Sequence, residues 1–184
     1  TNTFLDGPHR SGSDEDNDND KQSRQIQGIH FNDDGTKLFT TYAQKPVLDG
    51  VRDTFQYVHE YNLSTPYDIS TRTYAGNDER CELGSGSDGH SGNQAHDLEF
   101  SNDGMKLFTS DKSTDTLFRF DLTSPYDVST CSFVYETTTV DTPALQNGSN
   151  AGTKGTNTRL QGFEISEDGK KLFLLFHDSG GDPS

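Results

Sequence analysis

His96 and Asp97, which are adjacent in the sequence, are the residues best suited to acid–base chemistry. An imidazole beside a carboxylate can act as a general base or bind a metal ion. Gln27 and Gln161 match His96 in position within an internal repeat, so we expect these four residues to form one polar group. The competing interpretation is a hydrogen-bonded pair without catalytic function, because no nucleophile or second histidine stands in register. The sequence alone therefore assigns no catalytic residue.

A run of alternating aspartates near the start of the chain is a candidate metal site. Asp14, Asp16, Asp18 and Asp20 place carboxylates at alternate positions, as calcium-binding loops do. The EF-hand pattern is incomplete, because the glycine of its sixth position and the glutamate of its twelfth are both absent. The sequence leaves two interpretations open, a calcium site and a solvated acidic loop.

The two cysteines, Cys81 and Cys131, permit one disulfide but do not require it. Two free thiols and a share in a metal site also remain open, although two cysteines are too few for a structural zinc site. Asn62 and Asn147 begin Asn-x-Ser triplets, which are acceptors for glycosylation in a secreted protein.

Composition excludes some partners. The chain has 184 residues, 28% of them hydrophobic, and a formal net charge of −15. Such an acidic surface repels nucleic acid and anionic membranes. No apolar run approaches the length of a membrane span, so we expect neither nucleic-acid binding nor membrane insertion.

Three segments of the chain resemble one another, residues 29–40, 98–109 and 163–174. Each places an Asp-Gly dipeptide between two strand-like runs, which predicts a tight hairpin because glycine accepts a positive φ. A second motif, Leu-Ser-Thr-Pro-Tyr-Asp-Ile-Ser-Thr at 63–71, returns in similar form at 122–130. Such repetition predicts units that stack because none can bury its apolar face alone.

Each repeat is predicted to contain four antiparallel strands, A to D, because apolar residues alternate along its segments. The predicted fold class is all-β, with β-propeller blades in an incomplete ring that is a fragment or is closed by other chains. The predicted boundaries are 1–5 for strand D of a preceding blade, 26–76 for blade 1, 95–135 for blade 2, 160–184 for the start of blade 3, and 6–25, 77–94 and 136–159 for long loops.

The long loops are expected to share one face of the blades, since alternate connections of a meander lie at opposite ends. Binding residues concentrate on loops that a rigid scaffold holds. The start of strand A borders the central channel on that face. Gln27, His96, Asp97 and Gln161 are therefore predicted to form a polar ring at the channel mouth.

The pattern Phe-Ser/Asn-x-Asp-Gly-x-Lys-Leu-Phe, followed by a Tyr- or Phe-rich strand and Leu-Ser-Thr-Pro-Tyr-Asp-Ile-Ser-Thr, resembles YVTN/lactonase-like β-propeller repeats. These repeats occur in secreted, surface and phage proteins. The resemblance covers residues 29–74 and 98–135, and 163–176 in part. It implies a propeller scaffold used for binding, adhesion or display, and it places no catalytic residue of the lactonases in this sequence.

Three functions follow as expectations. The first is a non-catalytic extracellular or virion-associated structural or recognition module, whose acidic loops bind a glycan, a surface protein or further copies of the chain, with calcium as an optional cofactor. The second is a lactonase-like hydrolase with a site at the channel mouth. The third is a self-assembling subunit joined by strand exchange, because an incomplete blade leaves an unpaired sheet edge. The expected location is extracellular, on a cell surface or on a virion.

Overall fold

A computed structural model describes residues 26–42, 47–48, 51–52, 56–84, 95–111, 115–136 and 158–178. These residues form antiparallel strands and two short 3₁₀ turns, and none of their helices is long and apolar enough to cross a membrane. The strands are β1 (Ile26–Phe31), β2 (Lys37–Tyr42), β3 (Val47–Leu48), β4 (Val51–Arg52), β5 (Gln56–Leu63), β6 (Arg72–Tyr74), β7 (Arg80–Gly84), β8 (Ala95–Phe100), β9 (Lys106–Asp111), β10 (Thr116–Asp121), β11 (Ser132–Glu136), β12 (Thr158–Ile165) and β13 (Leu172–Asp178).

The strands form successive meanders, as the repeats predict. Blade 1 has the order β1-β2-β5-β6, blade 2 is β8-β9-β10-β11, and blade 3 is the pair β12-β13. The small hairpin β3-β4 lies in the connection between β2 and β5. Antiparallel pairing of these strands confirms the predicted all-β fold of propeller-like blades, and the described strands do not close a ring.

The structure corrects one predicted loop. Residues 77–94 are expected to be a loop, but part of this segment, Arg80–Gly84, forms β7 and pairs with β5. Strand β5 has eight residues, and the three residues of β6 pair only with its end at Tyr61–Leu63. The other end of β5 would otherwise leave backbone groups unpaired, and β7 satisfies them at Gln56–His59. Blade 1 therefore has a fifth strand.

Strand β8 lies between β1 and β12, so the first strands of the three blades are neighbours. We call β1, β8 and β12 the inner strands. Aromatic and aliphatic side chains fill the spaces between blades. The rings of Phe39 and Phe100 lie 4.6 Å apart across the boundary of blades 1 and 2. Leu117, Leu160 and Phe163 form a cluster between blades 2 and 3. Burial of these side chains fixes the inner strands against one another.

Candidate active site

Each inner strand contains a β-bulge at the same place in the repeat. The register shifts between Ile26 and Ile29 in β1, between Ala95 and Asp97 in β8, and between Leu160 and Gly162 in β12. The bulged segments contain Gln27, His96 and Gln161, the residues that the repeat alignment places in one column. Bulges redirect side chains and are common next to active sites, so this level of the inner strands is a candidate functional region.

The bulge residues differ in exposure. His96 is buried, with 6% of its surface accessible, whereas Gln27 and Gln161 are half-buried. The structure therefore places the three residues at equivalent positions of neighbouring inner strands. Their role at a channel mouth stays a prediction.

The strand starts are held by side chains from the preceding blade. The Gln56 side-chain oxygen accepts a hydrogen bond from the Ala95 backbone N–H at 2.7 Å, and Ala95 directly precedes the bulge of β8. The Asp115 carboxylate accepts one from the Leu160 N–H at 2.7 Å, and Leu160 directly precedes the bulge of β12. These buried hydrogen bonds fix the register at which each bulge begins.

Asp97 joins blade 2 to blade 3. Its Oδ2 accepts a hydrogen bond from the Phe163 N–H at 3.0 Å, and its Oδ1 accepts one from its neighbour Leu98 at 2.9 Å. A side chain at Gly162 would place its Cβ 3.0 Å from Asp97 Oδ2, so the absence of a side chain allows this approach. Burial raises the pKa of Asp97, and the two amide hydrogen bonds partly offset that effect. These contacts support the interpretation of Asp97 as a hydrogen-bonded structural residue.

Glu99 lies two residues further along β8 and repeats this contact. Its Oε2 accepts a hydrogen bond from the Ile165 N–H at 2.8 Å. Burial raises the pKa of Glu99 to about 7, and the negative charges of Glu164 and Asp97 add to the rise. A carboxyl group with a pKa near neutrality can both accept and return a proton at physiological pH.

His30 lies close enough to Glu164 for that charge to affect its pKa. Its ring lies 5.3 Å from that of Phe100, and burial lowers its pKa, although Asp33 and Glu164 act in the opposite direction. The imidazole therefore tends to be neutral and retains one N–H donor and one acceptor nitrogen.

Three of these residues have no role among the sequence-based predictions. His30, Glu99 and Glu164 share one column of the repeat, each between two apolar residues. That shared column of titratable side chains was the available signal.

The other predicted sites lie away from the inner strands or outside the described residues. Cys81 and Cys131 are joined in a disulfide that links β7 of blade 1 to blade 2 just before β11. Asn62 is exposed on β5. The calcium candidates Asp14, Asp16, Asp18 and Asp20 and the second sequon residue Asn147 lie outside the described residues. Within the described ranges, no group of three or more His, Cys, Asp or Glu side chains is arranged to hold a metal ion.

Meanders stacked through their first strands define a lactonase-like β-propeller fold, and solved structures agree. A protein from Lactobacillus plantarum matches with a TM-score of 0.52 at 14% identity over 83% of this chain. The periplasmic gluconolactonase PpgL of Pseudomonas aeruginosa matches with a TM-score of 0.50 at 15% identity, also over 83% of this chain. This chain spans 34% of the length of each. No protein-family model and no curated protein sequence matches it.

The comparison corrects one functional expectation. The sequence favours a non-catalytic structural or recognition module over a hydrolase. That preference is wrong, because the structural likeness is to a lactonase, and it favours the hydrolase alternative instead.

Proposed function

We propose that the protein to which this chain belongs is a lactonase-like hydrolase, with its acid–base residues on the inner strands. The observation that carries the proposal is the environment of Glu99, whose pKa is raised to about 7 where blade 2 meets blade 3. Perturbed titratable groups concentrate at functional sites. The fold likeness to a gluconolactonase supports the reaction class.

Hydrolysis of a lactone needs one group that can both take and return a proton. Ionised Glu99 takes a proton from water as the water oxygen attacks the acyl carbon. The ring C–O bond then breaks, and the ring oxygen receives that proton, which leaves a hydroxy acid. A pKa near the working pH suits both steps. His30, kept neutral by burial, supplies a ring N–H toward the oxyanion that develops on the carbonyl oxygen.

The cellular location of the protein is a separate proposal. The Cys81–Cys131 disulfide favours an oxidising compartment, because disulfides persist outside the reducing cytosol. We expect the full-length protein to be extracellular or on a cell surface. Rapid alkylation of thiols in protein taken directly from its source tests this. Two blocked cysteines contradict the expected location, and two unmodified ones support it.

The catalytic proposal is tested with the full-length protein and a panel of sugar and aliphatic lactones. Glu99→Gln keeps an oxygen that can accept the Ile165 N–H but removes the base, and we expect kcat to fall by about 10²–10⁴-fold. Glu167→Gln is the matched control, because Glu167 is an exposed carboxylate in the turn between β12 and β13. Circular dichroism checks that both variants are folded. Unchanged kcat in Glu99→Gln, or no turnover of any lactone by the wild type, refutes the proposal.

A further inference from the structure

We propose that the lactone accepted at this site is uncharged and that a phosphorylated lactone is discriminated against. This inference rests on the proposed hydrolase function and adds the substrate class. It follows from the negative charges on the inner strands. It also follows from the pairing of several lysine and arginine side chains with other residues of the blades.

The charged residues from each bulge to the end of its inner strand are acidic. These segments are residues 27–31, 96–100 and 161–165, and they contain Asp97, Glu99 and Glu164 but no lysine or arginine. Asp97 and Glu99 accept hydrogen bonds from the backbone amides of Phe163 (3.0 Å) and Ile165 (2.8 Å). These two residues flank Glu164, so the three carboxylates lie close together, and Glu164 and Asp97 raise the pKa of Glu99. A substrate that approaches Glu99 therefore meets a negative potential.

Several cations in the described part of the chain are engaged with partners away from the inner strands. A phosphate monoester is usually held by arginine or lysine, and arginine makes paired hydrogen bonds to it. Three of these engaged cations are Lys37 with Glu60 (2.7 Å), Arg119 with Asp121 (2.7 Å), and Arg80 over the ring of Tyr57 (3.7 Å).

A phosphate bound nearby would also impair the proposed base. A dianion close to Glu99 would raise the pKa of this carboxyl further, as Glu164 and Asp97 already do. A smaller fraction of Glu99 would then be ionised at neutral pH. We therefore expect a phosphorylated lactone to have both a higher KM and a lower kcat than its uncharged counterpart.

Arg159 is the one arginine in the sequences of the three inner strands, which contain no lysine. It precedes Leu160 in β12, and its backbone pairs with His177. Its side chain is outside what the structure describes. A test of substrate charge must therefore include an Arg159 variant.

The experiment compares kcat/KM of the full-length protein for glucono-1,5-lactone and for its 6-phosphate at neutral pH. We expect the uncharged lactone to be preferred by about tenfold or more, and the preference to shrink as salt screens the carboxylates. Glu164→Gln should narrow the ratio, because it removes one of the repelling charges. Arg159→Gln should leave the ratio unchanged.

Two outcomes overturn the inference. One is a higher kcat/KM for the phosphorylated lactone in the wild type. The other is a selective loss of phosphorylated-lactone hydrolysis in Arg159→Gln, which would identify a phosphate-binding residue. Both leave the hydrolase proposal standing. Failure to hydrolyse either compound or any other lactone removes the hydrolase proposal, and the inference falls with it.

Discussion

The Tyr126 hydroxyl of blade 2 donates a hydrogen bond to the Asp33 carboxylate of blade 1 at 2.8 Å. Tyr126 has φ of 54°, and its backbone carbonyl accepts a hydrogen bond from Lys37 Nζ at 3.0 Å. Burial raises the pKa of the Tyr126 phenol, so it remains a donor. The turns of blades 1 and 2 at this end of the strands are thus tied by polar contacts, whereas apolar packing joins the sheets between them.

We expect Tyr126→Phe to lower the free energy of unfolding by about 1 kcal/mol, since it removes a hydrogen bond to a partly solvated carboxylate. Urea denaturation measures this. Tyr67→Phe is the comparison variant for a hydrogen bond within one blade. The Tyr67 hydroxyl donates to the Asp33 backbone carbonyl, and both residues belong to blade 1. A double-mutant cycle of Tyr126→Phe with Asp33→Ala should show a coupling energy. Additive effects in that cycle would contradict the contact.

Alanine substitutions at two turn glycines distinguish the stability cost of backbone strain from that of a steric clash. Gly104 and Gly169 have nearly equal φ, +65° and +68°. A Cβ at Gly104 would lie 2.5 Å from the Tyr126 ring, whereas no atom of the described residues lies within 4 Å of one at Gly169. We expect Gly169→Ala to cost about 1–2 kcal/mol from the left-handed backbone alone. Gly104→Ala should cost more, because the tyrosine must also move.

The comparison is made by urea denaturation of the two variants under the same conditions. Equal losses of stability would mean that the Tyr126 ring shifts without cost. That result would contradict the close packing of Tyr126 on the turn.

Local patterns predict the blades well. The Asp-Gly turn of the first repeat predicts the observed hairpin of β1 and β2, because the turn and the alternating apolar residues act within a few residues. The sequence does not predict strand β7. This strand forms by pairing with the part of β5 that β6 leaves unpaired, and not because apolar residues alternate along it. The environment of Glu99 is also not predicted, for a related reason. Burial and the charge of Glu164 raise the pKa of this residue, and the Ile165 amide partly offsets that rise. Glu164 and Ile165 belong to another blade, so no local pattern reports them.

The disulfide should stabilise the contact between blades 1 and 2. Cys81 and Cys131 are 50 residues apart in sequence, and cross-links of such loops typically contribute about 2–4 kcal/mol. We expect the double variant Cys81→Ala/Cys131→Ala to lose stability of this order, measured by urea denaturation without reductant. With dithiothreitol the wild type should lose most of its advantage over the variant. A wild type that keeps its full stability while its thiols are shown to be reduced would contradict the prediction.

Glu99 should make stability and activity respond oppositely to pH. Its pKa is raised from the usual 4.5 to about 7 in the folded state, so between these values the folded chain holds a proton that the unfolded chain has lost. The stabilisation linked to this proton is complete below pH 4.5 and is lost as pH rises through about 7. The ionised form that the proposed reaction needs increases over the same interval. Activity should therefore rise with pH where this contribution to stability falls.

Glu99→Gln tests this opposition, because the amide cannot ionise and still offers an oxygen to the Ile165 N–H. We expect the variant to be more stable than the wild type at about pH 8 and nearly equal in stability at about pH 4.5. Its kcat at about pH 8 should show the fall of about 10²–10⁴-fold expected above. Urea denaturation at several pH values, with lactone hydrolysis measured in parallel, gives both quantities. Glu167→Gln should follow the wild-type stability curve, since Glu167 is exposed. A Glu99→Gln variant whose stability difference from the wild type does not change with pH would show that the Glu99 carboxyl is not perturbed by burial.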